Sequence, residues 1–218
     1  MDINVLGQCA LFQGISGGDL ESMLRCLAPK ECQYKKDEMI LCAGEPPRGI
    51  GVVVSGGVMV VKEDFWGNRS IMSALEPAEI FGEAFACAQV AEQTVSAVST
   101  GKTRVLFLDH RKILGSCPKA CAFHKTLIGN TLRILVQKNI QLLQKLDFMV
   151  RKTTREKLLA FLSHQALKQG KRAFDIALNR QELADYLSVD RSAMSQELCK
   201  LRDQGVLTFS KNHFELIE

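Results

Sequence analysis

The sequence predicts an α+β chain in three parts: a β-rich region of jelly-roll type over residues 1–121, one long helix over 122–149, and a small helical unit with a β-hairpin over 150–218. Three observations predict it. From about residue 32 to 109 the chain consists of short β runs cut by turns. From Ile128 to Met149 the residues at alternate steps of four and three are apolar, save one. After Thr153 three further amphipathic patterns follow, and the chain ends in a pair of β runs.

At 218 residues and 46% hydrophobic, the chain can bury a substantial core. No run reaches the ~18 consecutive apolar residues of a membrane span. The opening MDINVLGQ lacks the basic and apolar blocks of a signal peptide, so a cytoplasmic protein without a membrane partner is expected. Eight cysteines at 9, 26, 32, 42, 87, 117, 121 and 199 contain no C-x2-C pair. In a reducing compartment they read as thiols, and no metal site is expected of them.

Residues 1–28 read as a helical lead-in with a glycine-rich break from Gly14 to Gly18. In "IGVVVSGGVMVVKED" two strands flank Ser55-Gly56-Gly57, and "NRSIMSAL" and "TRVLFLD" add more. Helical texture then runs to about residue 149. A second helix, "TTREKLLAFLSHQALKQG", carries Leu158, Phe161 and Leu162 on one face and stops at Gly170.

The most specific stretch is "LNRQELADYLSVDRSAMSQELCKL". Asn179 with Glu182 forms a capping-box start for a helix that buries Leu183, Ala184 and Leu187. After the turn Ser188-Val189-Asp190, Asp190 caps a second helix, and Met194, Leu198 and Leu201 make its apolar stripe. The opposite face carries Arg191, Ser192, Ser195, Gln196 and Lys200. The tail "GVLTFSKNHFELIE" forms a hairpin around Lys211-Asn212. Two helices at a short turn followed by a wing make a winged helix-turn-helix, whose second helix enters the DNA major groove. Charge agrees: ten Lys and Arg stand between Arg133 and Arg172 against Asp147 and Glu156. Between Ser70 and Gly101 there is no basic residue, while Glu76, Glu79, Glu83 and Glu92 are present. The candidate DNA-binding residues are therefore Arg191, Ser192, Ser195, Gln196 and Lys200, with Arg180 of the preceding helix.

This order of elements resembles the Crp/Fnr family of transcriptional regulators over essentially the whole chain. "GEPPRGIGVVVSGGVMVV" resembles the family's glycine-punctuated roll, "EIFGEAF" its FGE segment, and "NRQELADYLSVDRSAMSQELCKLRDQGVL" its DNA-binding element. The resemblance implies a cyclic-nucleotide-binding-like roll, a long dimerisation helix and a C-terminal winged helix-turn-helix. It also implies a homodimer on double-stranded operator DNA, with RNA polymerase as a further partner if the protein activates. In better-known members the recognition helix begins Arg-Glu and has a second Arg four residues after the Glu. Here Arg191, Ser192 and Gln196 take those places, so a different half-site is expected.

By the same resemblance the effector pocket would be built from Phe81, Gly82, Glu83, Gln93 and Thr94. Members that bind cyclic nucleotides pair the phosphate with an Arg about ten residues after the Glu. This chain has Glu92-Gln93-Thr94 there, and a buried phosphate without a cation is costly. Cyclic AMP is therefore not the expected effector, and haem, thiol redox chemistry and a small organic ligand stay open. "SCPKACAFH" places Cys117 and Cys121 one turn apart at a helix start, with His124 close by, a set suited to redox chemistry or haem ligation. Such thiols also serve as small buried hydrophobes. No nucleophile–base pair or histidine cluster suggests an enzyme. The alternative reading is a cyclic-nucleotide-binding module acting through protein partners.

The long helix places Ile128, Leu132, Leu135, Asn139, Leu142, Leu146 and Met149 on one seam. A single Asn in such a seam fixes the register of a two-stranded coil, so this face is assigned to dimerisation. Leu127, Ile134 and Leu143, on an adjoining face, are expected to pack on the roll.

Overall fold

A computed structural model describes residues 3–15, 17–67, 69–115 and 122–217. It divides into two compact units, residues 1–137 and 138–218.

In the first unit the lead-in comprises α1 (Ile3–Gln8), a 3-10 turn (Ala10–Phe12) and α2 (Gly17–Leu27). The strands are β1 (Lys30–Tyr34), β2 (Met39–Leu41), β3 (Ile50–Ser55), β4 (Val58–Glu63), β5 (Arg69–Leu75), β6 (Ile80–Phe81), β7 (Ser96–Ser99) and β8 (Thr103–Leu108). Helix α3 (Glu83–Ala88) separates β6 from β7, α4 (His110–Leu114) follows β8, and α5 (Ala122–Met149) is the long helix. The strands form two antiparallel sheets, in the orders β1-β8-β3-β6 and β2-β7-β4-β5. The two strands flanking Ser55-Gly56-Gly57 thus belong to different sheets.

Strand β3 is buried on both faces, which is why it reads as an unbroken apolar run rather than an alternation. Ile50, Val52 and Val54 join a cluster with the lead-in helices, while Val53 joins the cluster between the sheets. Strand β8 divides likewise, Leu106 and Leu108 to the first cluster and Val105 and Phe107 to the second. Gly51 is required because its partner across the ladder is Phe81, whose ring would lie 2.5 Å from a Cβ at this position.

Helix α5 is tied to the lead-in by Asn130, a buried side chain whose Nδ2 donates to the carbonyls of Leu11 (3.0 Å) and Gln13 (2.7 Å). Leu127 and Ile134 pack in the same cluster, as expected, and Leu143, which belongs to the second unit, is 60% exposed.

The second unit contains the remainder of α5, then α6 (Thr154–Gln169), β9 (Ala173–Asp175), α7 (Arg180–Leu187), α8 (Arg191–Asp203), β10 (Leu207–Ser210) and β11 (His213–Leu216). Thr153 and Glu156 form a reciprocal capping box at the start of α6, and Gly170 closes it in the left-handed conformation. Leu158, Phe161, Leu162, Leu183, Leu187, Met194, Leu198, Leu201 and Phe214 are buried in one core. Phe148 closes this core from α5, with its ring 5.7 Å from that of Phe161. The wing is three-stranded, because β9 pairs with β11 beside the expected hairpin. Three residues with Phe174 as the only large apolar one are too few to show an alternation.

Candidate nucleic-acid interface

The recognition element is assembled from local caps. The Oδ1 of Asn179 accepts from the backbone N–H of Gln181 and Glu182, and the carboxylate of Glu182 accepts from the N–H of Asn179. Helix α7 ends at Ser188, which takes the left-handed conformation at φ 51°. Lys157 of α6 reaches this corner, its Nζ donating to the carbonyls of Leu187 (3.1 Å) and Ser188 (3.3 Å). A cation at the last carbonyls of a helix suits the helix dipole. Asp190 then caps α8 by accepting from the N–H of Ala193 (2.9 Å) and from the hydroxyl of Ser192 (2.5 Å). Those two donors, the hydroxyl first, hold its carboxyl below the ordinary range.

With Met194, Leu198 and Leu201 fully buried, α8 turns a polar face outward. Arg191 and Gln196 are exposed and form no side-chain hydrogen bond among the described residues. These are the two groups suited to reading base edges. The serines are partly committed. Ser192 gives its proton to Asp190, and the half-buried Ser195 gives its own to the carbonyl of Arg191 at 2.9 Å. Both keep lone pairs, so each is left as an acceptor. Lys200 is exposed, with its Nζ 3.5 Å from Oε2 of Glu197, and the other oxygen of Glu197 meets Arg155 of α6 at 3.2 Å.

Arg180 has a different setting. As the first residue of α7 it lies over the wing, its guanidinium carbon 5.0 Å from the ring centre of Phe209 and 4.8 Å from that of Phe214. Burial lowers its pKa. The arrangement suits fastening the wing to α7 more than reaching a base. Sequence reasoning missed Lys157, Arg155 and Glu197, and also Cys199. This exposed thiol lies seven residues after Ser192 on the same helical face. That spacing was the available signal.

In the roll, Phe81 is buried with its ring edge-on to Phe107 at 6.1 Å. Gly82 adopts φ 74° just before α3, and Glu83, the first residue of α3, is buried. Gln93 is buried too, with Nε2 donating to the carbonyl of Cys42 at 2.8 Å and Oε1 lacking a partner among the described residues. A Cβ at Gly82 would touch Leu41, so the FGE segment and Gln93 both lie against the end of β2. Glu92 and Thr94 are exposed. Burial, and then the charge of Glu83, pushes the Cys87 thiol up.

His124 is buried with Nε2 2.7 Å from the carbonyl of Lys112, so that nitrogen carries the proton as donor. Cys117 and Cys121 lie outside the described residues. Cys9 is a buried hydrophobe, and burial raises its pKa. Among the described residues no three His, Cys, Asp or Glu side chains gather as a metal site.

The seam of α5 faces outward: Leu132, Leu142 and Leu146 are 62%, 67% and 56% exposed. Ile128, Asn139 and Met149 are exposed with them, and Leu135 is half-buried.

A sheet roll, a long helix with an exposed apolar seam and a winged helix-turn-helix are the parts of a DNA-binding regulator. Comparison with known proteins gives the same class. Residues 31–117 match the cyclic nucleotide-binding domain family and residues 156–218 the Crp-like helix-turn-helix domain family. The transcriptional activator protein FnrL of Cereibacter sphaeroides is 26% identical over 192 residues, covering 83% of this chain and 73% of FnrL. The cyclic AMP receptor protein of Thermus thermophilus is 23% identical over 212 residues, covering 95% of this chain and 92% of the relative. Among solved structures, CprK complexed with OCPA superposes with a TM-score of 0.67 at 13% identity, covering 94% of this chain and 93% of that one. The chain belongs to the Crp/Fnr family of transcriptional regulators. It is a transcriptional regulator with a DNA-binding helix-turn-helix. No helix among the described residues is long and apolar enough to cross a membrane.

Proposed function

We propose that the protein is a cytoplasmic homodimer that binds operator DNA, with its roll sensing a signal other than cyclic AMP. Residues 1–121 serve as sensor, 122–149 as dimerisation helix and hinge, and 150–218 as the DNA-binding domain. If it activates transcription, RNA polymerase is its further partner. The observation that carries the reading is the outward face of α8, where Arg191 and Gln196 stand free over a fully buried Met194, Leu198 and Leu201. Dimerisation is supported by the exposed seam of α5, which would remain in water in a monomer.

Against cyclic AMP stands the segment from Ser70 to Gly101, which has no Lys or Arg and in which Glu83 and Gln93 are buried. Haem, thiol redox and a small organic ligand remain the candidate signals. Calorimetry with cyclic AMP is expected to show no binding at micromolar concentration, and micromolar affinity would overturn the pocket assignment. An absorbance spectrum of protein purified without oxygen separates haem from the other signals.

A further inference from the structure

Glu197 is an acidic residue on the helix that must approach a polyanion, a placement that needs a reason. Its side chain is 16% exposed and faces two cations. Arg155, from α6 behind it, holds Oε1 at 3.2 Å. Lys200, one turn further along α8 and 64% exposed, lies 3.5 Å from Oε2. The N-terminal part of α6 therefore braces both helices of the reading element, α7 through Lys157 and α8 through Arg155. Arg155 keeps the carboxylate in place whether or not Lys200 is present, and Lys200, the more exposed partner, is the one able to leave.

We propose that Glu197 is a specificity-determining residue that holds Lys200 back from the DNA backbone until a cognate site seats α8. The inference rests on the reading that the outward face of α8 meets DNA. On random DNA the helix is not locked into the groove, so Lys200 stays with Glu197 and contributes no phosphate contact. On a cognate site the contacts of Arg191 and Gln196 fix the helix, Lys200 swings to a phosphate, and Arg155 is left to neutralise Glu197. A tethered cation of this kind weakens sequence-independent binding while leaving cognate binding intact, which widens the ratio between them.

The test measures affinity against salt for a selected operator duplex and a scrambled duplex of equal length. Glu197→Gln keeps the shape and an oxygen for Arg155 but frees Lys200. The scrambled-duplex slope should steepen by ~1.8, one more phosphate for each subunit of the dimer, which at 0.1 M salt is about 60-fold tighter binding relative to 1 M. The operator slope should not change. Lys200→Gln alone should reduce the operator slope by ~1.8, ~0.9 for each subunit, and leave the scrambled slope alone, so the inference can be judged even if the first variant misfolds. In the double variant Glu197→Gln, Lys200→Gln the scrambled slope should return to that of the parent. Equal slopes for parent and both single variants overturn the inference, as does a parallel loss of affinity on both duplexes with unchanged slopes. Failure of the parent to bind any duplex overturns the underlying reading of α8 itself.

Discussion

Arg191 is the side chain whose removal best tests how α8 meets DNA. Replacing it with Ala deletes a guanidinium that no described residue engages, at the first position of a helix capped independently by Asp190. Folding stability should therefore change by less than ~0.5 kcal/mol, the usual range for an exposed site without partners. On DNA the expected loss is one bidentate contact to the O6 and N7 of a guanine, about 1–3 kcal/mol per half-site. That is roughly 5- to 160-fold for each half-site. A dimer on two half-sites ~34 Å apart meets the loss twice, so a full operator should weaken by about 30-fold or more. The assay is a binding selection from random duplexes with parent and variant, followed by titration of single-base changes at one fixed salt concentration. The variant should lose its preference at one base in each half-site and keep it elsewhere. If the preferred sequence is unchanged, the orientation assigned to α8 is wrong.

Asn139→Leu should strengthen self-association through an all-apolar seam while relaxing its register, seen by sedimentation as mixed assemblies in place of one dimer. A monomeric parent in the same experiment, with or without DNA, would remove the seam assignment. Leu198→Ala empties a fully buried site and should cost about 2–5 kcal/mol. In a domain of this size the C-terminal melting transition should fall by ~4–8 °C for each kcal/mol. The Asp190 cap should respond to acid, because its folded pKa lies below the unfolded value of ~3.9. Its contribution is fully present above that value and is lost as pH falls through the lower, folded pKa. Asp190→Asn should flatten this part of the acid limb of a melting-temperature profile, and an unchanged acid limb would show that the cap does not titrate there.

The parts of the fold written in local patterns were open to reading from the chain. The Asn179 and Asp190 caps, the stripe of Met194, Leu198 and Leu201 and the seam of α5 all repeat within a few residues. Their spacing follows from helix geometry alone. What escaped reading acts across distance. Lys157 meets the carbonyls of Leu187 and Ser188 thirty or more residues later, and Arg155 meets Glu197 across 42. Long flexible cations carry no period that announces a partner. Arg180 stands among the candidate DNA-binding residues as the first residue of α7. The rings that lie beneath it, Phe209 and Phe214, come from the wing. Leu143 was assigned to the roll by its period, but the period cannot say where the supporting surface ends.

The hydrogen bonds from Asn130 to Leu11 and Gln13 bear on where this chain can be cut. The region that matches the sensing family begins at residue 31, an inviting point at which to start a shortened fragment. Such a fragment would discard Leu6, Leu11, Phe12, Leu20, Met23, Leu24 and Leu27, which wrap one side of β3 and β8. Ile50, Val52, Leu106 and Leu108 would be laid open to water, and the amide of Asn130 would lose both carbonyls. The lead-in helices are thus the cover over one face of β3 and β8, and an isolated sensing fragment should retain them.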